Sequence, residues 1–147
     1  MNIYFSCSIT GGRTDQTAYQ AIVAALQADG HAVPTAILAD DSVLIEEAQV
    51  SADEVYKRDI AWLDGCDVVV AEVSTPSHGV GYEIAYALGI GKPVLCGYKD
   101  GVKVSKMLTG NSMPGIRVAA YTGVEDFIHT VREFLADQDK GRQTGYL

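Results

Sequence analysis

Residues 67–73 read DVVVAEV, and residues 74–91 continue as STPSHGVGYEIAYALGIG; these two stretches decide the fold. A continuous β-branched run of this kind is typical of a central parallel strand that is covered on both faces. The stretch after it is a small-residue loop that leads into an apolar segment of helical length, with Glu83 as its single formal charge. The pattern predicts a buried strand, a glycine-rich turn and a helix that carries one isolated carboxylate.

The rest of the chain alternates between short apolar runs and segments with helical spacing. A capping box, Ser51-x-x-Glu54, opens one helix, and a second such box begins at Thr122. A weaker second strand, interrupted by Pro34, is predicted at residues 31–38, and the acidic connection at about residues 39–50 has no clear pattern. Further strands are predicted at residues 2–6, 93–98 and 116–121.

Strands that alternate with helices form parallel sheets with right-handed crossovers. We therefore expect an α/β fold, a flavodoxin-like three-layer sandwich with a parallel sheet of about five strands and helices on both faces. The length of 147 residues fits one domain spanning residues 1–147. The polar tail from about residue 138 is expected to be frayed.

Composition excludes several classes of protein. The net charge of −8 and the lack of a Lys/Arg cluster argue against binding to nucleic acid, because a polyanion would be repelled. The three cysteines show no C-x-x-C spacing and lie in or beside apolar runs, as reduced core residues of an intracellular protein do. No stretch has the length or the apolarity of a signal peptide or membrane span. We expect a cytoplasmic protein.

Two carboxylates stand out as candidates for chemistry. Asp59 lies in the middle of the predicted inward face of its helix, and burial of an unpaired carboxylate is costly. It is therefore either the partner of a structural salt bridge, to Arg58 or Arg13, or a general acid. Glu83 is either an acid that complements the start of its helix or a nucleophile. Two carboxylates across one cleft suit cleavage at the anomeric carbon of a sugar.

The loop after the first strand reads Ser8-Ile9-Thr10-Gly11-Gly12-Arg13. It lacks both the G-x-G-x-x-G fingerprint and the lysine of a P-loop, which argues against a dinucleotide or triphosphate site. Its hydroxyls, glycines and arginine suit a monophosphate, although an ordinary turn between a strand and a helix is an equal alternative. The hydroxyl of Ser77 is predicted at the same edge of the sheet.

Three stretches, YFSCSITGGRTD at residues 4–15, RDIAWLDGCDVVVAEVSTPSHGVGYEIAYA at 58–87 and VSKMLTG at 104–110, closely resemble the nucleoside 2-deoxyribosyltransferase family. The resemblance is to its branch of small hydrolases that act on 2'-deoxynucleoside 5'-monophosphates. It implies that Glu83 is a nucleophile that forms a covalent 5-phospho-2-deoxyribosyl enzyme, and that Asp59 protonates the leaving base. Tyr4 would lie near the sugar or the nucleophile. No metal or redox cofactor is implied.

The resemblance also assigns residues to the phosphate and the sugar. Ser77 stands where the nucleoside transferases usually carry an aspartate, and a serine can donate to a phosphate that an aspartate would repel. Ser105 matches a serine that the family delivers from the neighbouring subunit, which implies a homodimer. The phosphate would be received by Ser8, Gly11, Gly12 and Ser77, and the sugar pocket would be shaped by Ile9, Gly79 and Gly81.

Two positions depart from the family pattern. Thr10 replaces a phosphate-binding arginine of the mammalian-type enzyme, and Ala36 falls where a histidine lines its pocket. Arg13 is the candidate that would compensate for Thr10. The alternatives to hydrolysis are transfer of the deoxyribosyl group to another base, a nucleotide sensor without catalysis, and a flavin-binding redox protein.

Overall fold

A computed structural model describes residues 1–9 and 14–144 of the protein. Within these residues the sheet has four parallel strands in the order β1-β2-β3-β4. The strands are β1 (Ile3–Ser6), β2 (Val68–Glu72), β3 (Val94–Lys99) and β4 (Ile116–Tyr121). The helices are α1 (Gln16–Ala28), α2 (Val43–Glu47), α3 (Ala52–Gly65), α4 (His78–Gly89), α5 (Lys106–Thr109) and α6 (Val124–Thr144), and a 3-10 helix spans Pro34–Ala39.

The sheet is buried on both faces because side chains alternate along each strand. In β1, Ile3 and Phe5 belong to a core cluster with residues of α1 and α6, whereas Tyr4 packs with residues of α3 and α4 on the opposite face. The same alternation divides the β-branched residues of β2 between the two clusters. The predicted α/β three-layer sandwich is confirmed.

Residues 31–38 do not form the fifth strand that the weak apolar run suggested. A single bridge joins Asn2 to Ala32, and the 3-10 helix begins at Pro34. On the free edge of β1 a side chain takes the place of a strand partner, because the Phe5 N–H donates to Thr35 Oγ1 over 2.9 Å. Pro34 lacks an N–H for a strand ladder, so the turn into the 3-10 helix replaces further pairing.

Helix ends follow the local signals in part. The Ser51 side chain accepts from the Glu54 N–H and the Glu54 side chain accepts from the Ser51 N–H, which confirms the first capping box. The second predicted box is wrong in its partner, since the Thr122 N–H donates to Asp126 over 3.1 Å. Being one helical residue further along, that carboxylate reaches back over the start of α6.

The C-terminal segment is helical within the described residues. Helix α6 continues to Thr144, and the fraying expected from about residue 138 stays a prediction. An ion pair of 2.9 Å between Arg142 and Asp67 ties the last turns to the start of β2. The three cysteines form no disulfide with one another and are buried, as predicted. In the described part of the chain, no helix is long and apolar enough to span a membrane.

Candidate active site

A cavity of about 640 Å³ opens beyond the carboxyl ends of β1 and β2, between α2, α3 and α4. Parallel sheets commonly bind ligands at this edge, because loops of variable sequence converge there. Asp59 from α3 and Glu83 from α4 both line the cavity, so two distant segments of the sequence bring their carboxylates to one space. Most of the remaining wall is apolar, including Ile9, Val55 and Ile60.

Glu83 lies on the second turn of α4, where the helix passes over the end of β1. Ser6, the last residue of β1, donates its hydroxyl hydrogen to Glu83 Oε2 over 2.5 Å. Burial raises the pKa of Glu83 to about 7, and the Asp59 charge acts in the same direction. Hydrogen bonding from Ser6 and the proximity of Tyr4 oppose that rise. The carboxyl group is therefore poised to exchange its proton near neutral pH.

Tyr4 is fully buried beneath Glu83. Among the described residues its hydroxyl has no partner with ordinary hydrogen-bond geometry, yet it is close enough to Glu83 for each group to shift the pKa of the other. Burial, followed by the charges of Glu83 and Asp59, raises the pKa of Tyr4 far above its usual range. The hydroxyl thus keeps its proton and lies beside Glu83, although Tyr4 itself does not line the cavity.

Asp59 occupies the inward face of α3 and is half-buried. Burial raises the pKa of its carboxyl group, whereas a hydrogen bond from Arg58 Nε to Asp59 Oδ1, 2.9 Å long, opposes the rise. The predicted salt bridge to Arg58 is therefore present, and the role of Asp59 as a general acid stays a prediction. Asp59 has the salt bridge to Arg58, and it also lines the cavity that contains Glu83.

The residues predicted to receive a phosphate are placed only in part. Ser8 is fully buried, and its Oγ has no hydrogen-bond partner among the described residues. Ser77 lines the cavity and caps α4, with its side chain accepting from the Val80 N–H over 3.4 Å. The remaining candidates of the loop, Thr10, Gly11, Gly12 and Arg13, lie outside the described residues.

The glycines and Ser105 separate into two spaces. Gly79 lines the cavity that contains Glu83, whereas Gly81 lines a second cavity of about 540 Å³ on another side of α4. Ser105 caps α5 and also lines this second cavity, which it shares with Ser77. Ala36 packs against the core cluster of α1 and α6. Within one chain, Ser105 is thus not brought to the wall that holds both carboxylates.

Two polar groups that the sequence did not predict have defined partners in the structure. Ser6 contacts Glu83, and the signal for it was available, because Tyr4 and Ser6 are two residues apart and must face the same side of β1. Glu72 at the end of β2 is fully buried, and it accepts a 2.9 Å hydrogen bond from the Tyr121 hydroxyl and others from Ser74. This network holds the turn that leads into α4.

A second buried acid connects the neighbouring loops. Asp15 forms an ion pair with Lys99 and accepts a hydrogen bond of 3.2 Å from Thr75 Oγ1. It thereby joins the start of α1 to the segment between β2 and α4 and to the end of β3. Over residues 1–9 and 14–144, no group of three or more His, Cys, Asp or Glu side chains is placed to hold a metal ion.

Comparison with known proteins identifies the family. Residues 3–131 match the model of the nucleoside 2-deoxyribosyltransferase family. The 5-hydroxymethyl-dUMP N-hydrolase of Mus musculus is 40% identical over 134 residues, which are 88% of this chain and 76% of that protein. The protein of the same name from Danio rerio is 40% identical over 137 residues, which are 90% of this chain and 94% of that protein.

A solved structure shows the same fold at much lower sequence identity. The CMP N-glycosidase of Clostridium botulinum superposes with a TM-score of 0.69 at 16% identity, and the match covers 90% of this chain and 98% of that one. The sequence matches confirm the predicted family and, with it, an enzyme of the N-glycosidase class. The chain belongs to the nucleoside 2-deoxyribosyltransferase family.

Proposed function

We propose that the protein hydrolyses the N-glycosidic bond of 2'-deoxynucleoside 5'-monophosphates and releases a free base and 2-deoxyribose 5-phosphate. The observation that carries this proposal is the convergence of Asp59 and Glu83 on one cavity. The pKa of about 7 for Glu83 adds to it, since a group that ionises near neutral pH suits catalysis. The names of the mouse and zebrafish relatives support a deoxynucleotide substrate.

Catalysis would proceed in two steps with retention at the anomeric carbon. In the first, a Glu83 oxygen attacks C1' while the bond from C1' to the base breaks, and Asp59 gives its proton to the leaving nitrogen. In the second, water attacks C1', Asp59 takes a proton from that water, and the electrons of the ester bond return to Glu83. Ser6 stabilises the ionised form of Glu83 at the start and the end of the cycle.

The 5'-phosphate would be bound by local donors, because the whole chain carries a net charge of −8. One observation supports a phosphate near the start of α4. Ser77 lines the cavity and stands at the N-terminus of a helix of 12 residues. The Ser8 hydroxyl, which is buried without a partner among the described residues, is a further candidate donor because its chain neighbour Ile9 lines the same cavity. Backbone N–H groups at such a terminus favour an anion.

We further propose a homodimer in which Ser105 of one chain completes the site of the other. Within one chain Ser105 faces the second cavity, which reaches Ser77 from a different side than the catalytic cavity does. In this dimer a neighbouring chain would supply the Ser105 that the chain's own fold does not bring to the carboxylates. Light scattering of the purified protein tests the dimer, and a monomer at micromolar concentration with full activity would refute this part.

The activity is tested by chromatography of free bases after incubation with a panel of deoxynucleoside monophosphates, ribonucleoside monophosphates and nucleosides. The expected result is base release from deoxynucleoside monophosphates and loss of that release in Glu83→Gln. A second arm supplies a free acceptor base, and a new nucleotide in that arm would assign a transferase instead. Binding of deoxynucleotide without base release would assign a sensor.

A further inference from the structure

Arg58 is held by three different groups beside the cavity. Its Nε donates to Asp59 Oδ1 over 2.9 Å, and its Nη1 lies 2.8 Å from Glu47 Oε1. Its guanidinium carbon lies 4.8 Å from the centre of the Trp62 ring, a favourable cation–π distance. The side chain is only 27% exposed, and Nη2 is buried without a partner among the described residues. Few surface arginines are fixed by this many contacts.

We propose that Arg58 is a positioning residue for Asp59 that bridges α2 to α3 and fixes the Asp59 carboxylate at the cavity wall. The inference rests on the function proposed above. Because Arg58 engages Oδ1, the other oxygen, Oδ2, would carry the proton that is delivered to the leaving base. Glu47 also lines the cavity, so the bridge joins two parts of the same wall.

The choice of arginine follows from its shape. A guanidinium presents several N–H donors in a planar fork, so that one side chain donates to two carboxylates and stacks on a ring at the same time. A lysine has three donors on a compact charge at the end of a flexible stem, so it lacks both the fixed fork and the flat face that stacks on a ring. The contact with Trp62 orients the plane of the fork between Glu47 and Asp59.

The charges that face Asp59 come from four elements. Arg58 on its own helix favours the ionised carboxylate, and Glu47 on α2 disfavours it. Glu83 on α4 and the Tyr4 hydroxyl on β1 both sense the charge of Asp59. Asp59 therefore raises the pKa of Glu83, whereas Arg58 lowers the pKa of both carboxyl groups and Glu47 raises that of Asp59.

The bridge serves both halves of the proposed cycle. When the base leaves with its proton, Asp59 becomes an anion, and Arg58 stabilises that anion until water is activated. Glu47 limits this stabilisation, since it draws part of the guanidinium charge and keeps protonation of Asp59 accessible. Removal of either member should shift the pH dependence of base release, and the two shifts should have opposite directions.

The test is the pH profile of kcat/KM for base release in wild type, Arg58→Gln and Glu47→Gln. Loss of the Arg58 cation raises the pKa of Asp59, the proposed proton donor, so the alkaline limb should move to higher pH by about 1 unit. Loss of the Glu47 anion should move the same limb to lower pH. Lys57→Gln is the matched control, because Lys57 precedes Arg58 but pairs with Asp53 on the exposed side of α3.

Opposite shifts in the two variants, with no shift in Lys57→Gln, would support the proposal. A lower rate at every pH without movement of the profile would show that Arg58 is only structural and would overturn it. If Arg58→Gln does not fold, the downward shift in Glu47→Gln decides alone. Carboxyl 13C NMR titration measures the pKa of Asp59 in the same variants without any turnover. It therefore tests the role of Arg58 separately from the proposed enzymatic function.

Discussion

The hydrogen bond from Ser6 to Glu83 offers a sharp test of how the site is tuned. Ser6 Oγ donates to Glu83 Oε2 over 2.5 Å, and this contact favours the ionised carboxylate. Substitution Ser6→Ala removes the donor and leaves burial as the main influence on Glu83. The pKa of Glu83 should rise above its present value of about 7.

The size of the effect follows from the strength of a hydrogen bond to a charged group. Such bonds contribute about 1.5–3 kcal/mol, which corresponds to a rise of about 1–2 pKa units. With a pKa of about 7, half of the Glu83 side chains are ionised at pH 7. After the substitution about 1–10% would be ionised, so kcat/KM at pH 7 should fall about 5- to 50-fold.

The assay is the rate of base release from a deoxynucleoside monophosphate at limiting substrate, measured from about pH 5.5 to about pH 9, a range that includes the Glu83 pKa. The ratio of wild-type to Ser6→Ala activity should decline as the pH rises, because Glu83 then becomes ionised in both proteins. Thr130→Ala is the control, since its hydroxyl donates to the Asp126 carbonyl on the exposed face of α6. A ratio that stays constant over this range would refute the role assigned to Ser6.

Three further outcomes are expected. The pKa of about 7 for Glu83 exceeds its ordinary 4.5, so ionised Glu83 costs stability above pH 7 and nothing below pH 4.5. Urea unfolding of Glu83→Gln should therefore show a gain of about 1–3 kcal/mol at pH 8 and none at pH 4.5, whereas an equal gain at both would be inconsistent. In Gly97→Ala a Cβ would lie 2.1 Å from Phe127 Cε2, so Tm should fall with a loss of about 1–3 kcal/mol or more, while Gly89→Ala, with open space around its Cβ, should not lose stability. Ser77→Asp should shift kcat/KM from nucleotide toward nucleoside by about tenfold or more through charge repulsion, and unchanged selectivity would place the phosphate elsewhere.

Local patterns were enough to predict much of the fold. The run at residues 67–73 forms β2, and the capping box at Ser51 opens α3, because both depend on neighbours within a few residues. The segment at residues 31–38 was misjudged, since the side chain of Thr35 takes the place of a strand partner for β1. Whether a side chain takes the place of a backbone partner depends on its position in the tertiary structure. Secondary-structure propensity does not describe that position.

The candidate site was likewise predictable only in part. The isolation of Glu83 and the inward position of Asp59 could be read from spacing alone, and the structure brings both to one cavity. The bridge from Arg58 to Glu47 could not, because it depends on where α2 lies, and α2 falls in the acidic connection that showed no pattern. The orientation of Ser6 was predictable, because residues two apart in a strand face the same side of the sheet.

The central claim is that Glu83 attacks the anomeric carbon, and trapping the intermediate tests it most directly. The enzyme would be incubated with a deoxynucleotide analogue that carries fluorine at C2', which destabilises the cationic transition state and slows release of the sugar. After rapid acid quench and proteolysis, mass spectrometry should locate a phosphodeoxyribosyl adduct on the peptide that contains Glu83, with no adduct in Glu83→Gln. Release of base in the first turnover with the adduct on Asp59, or with no adduct on any peptide, would contradict the account.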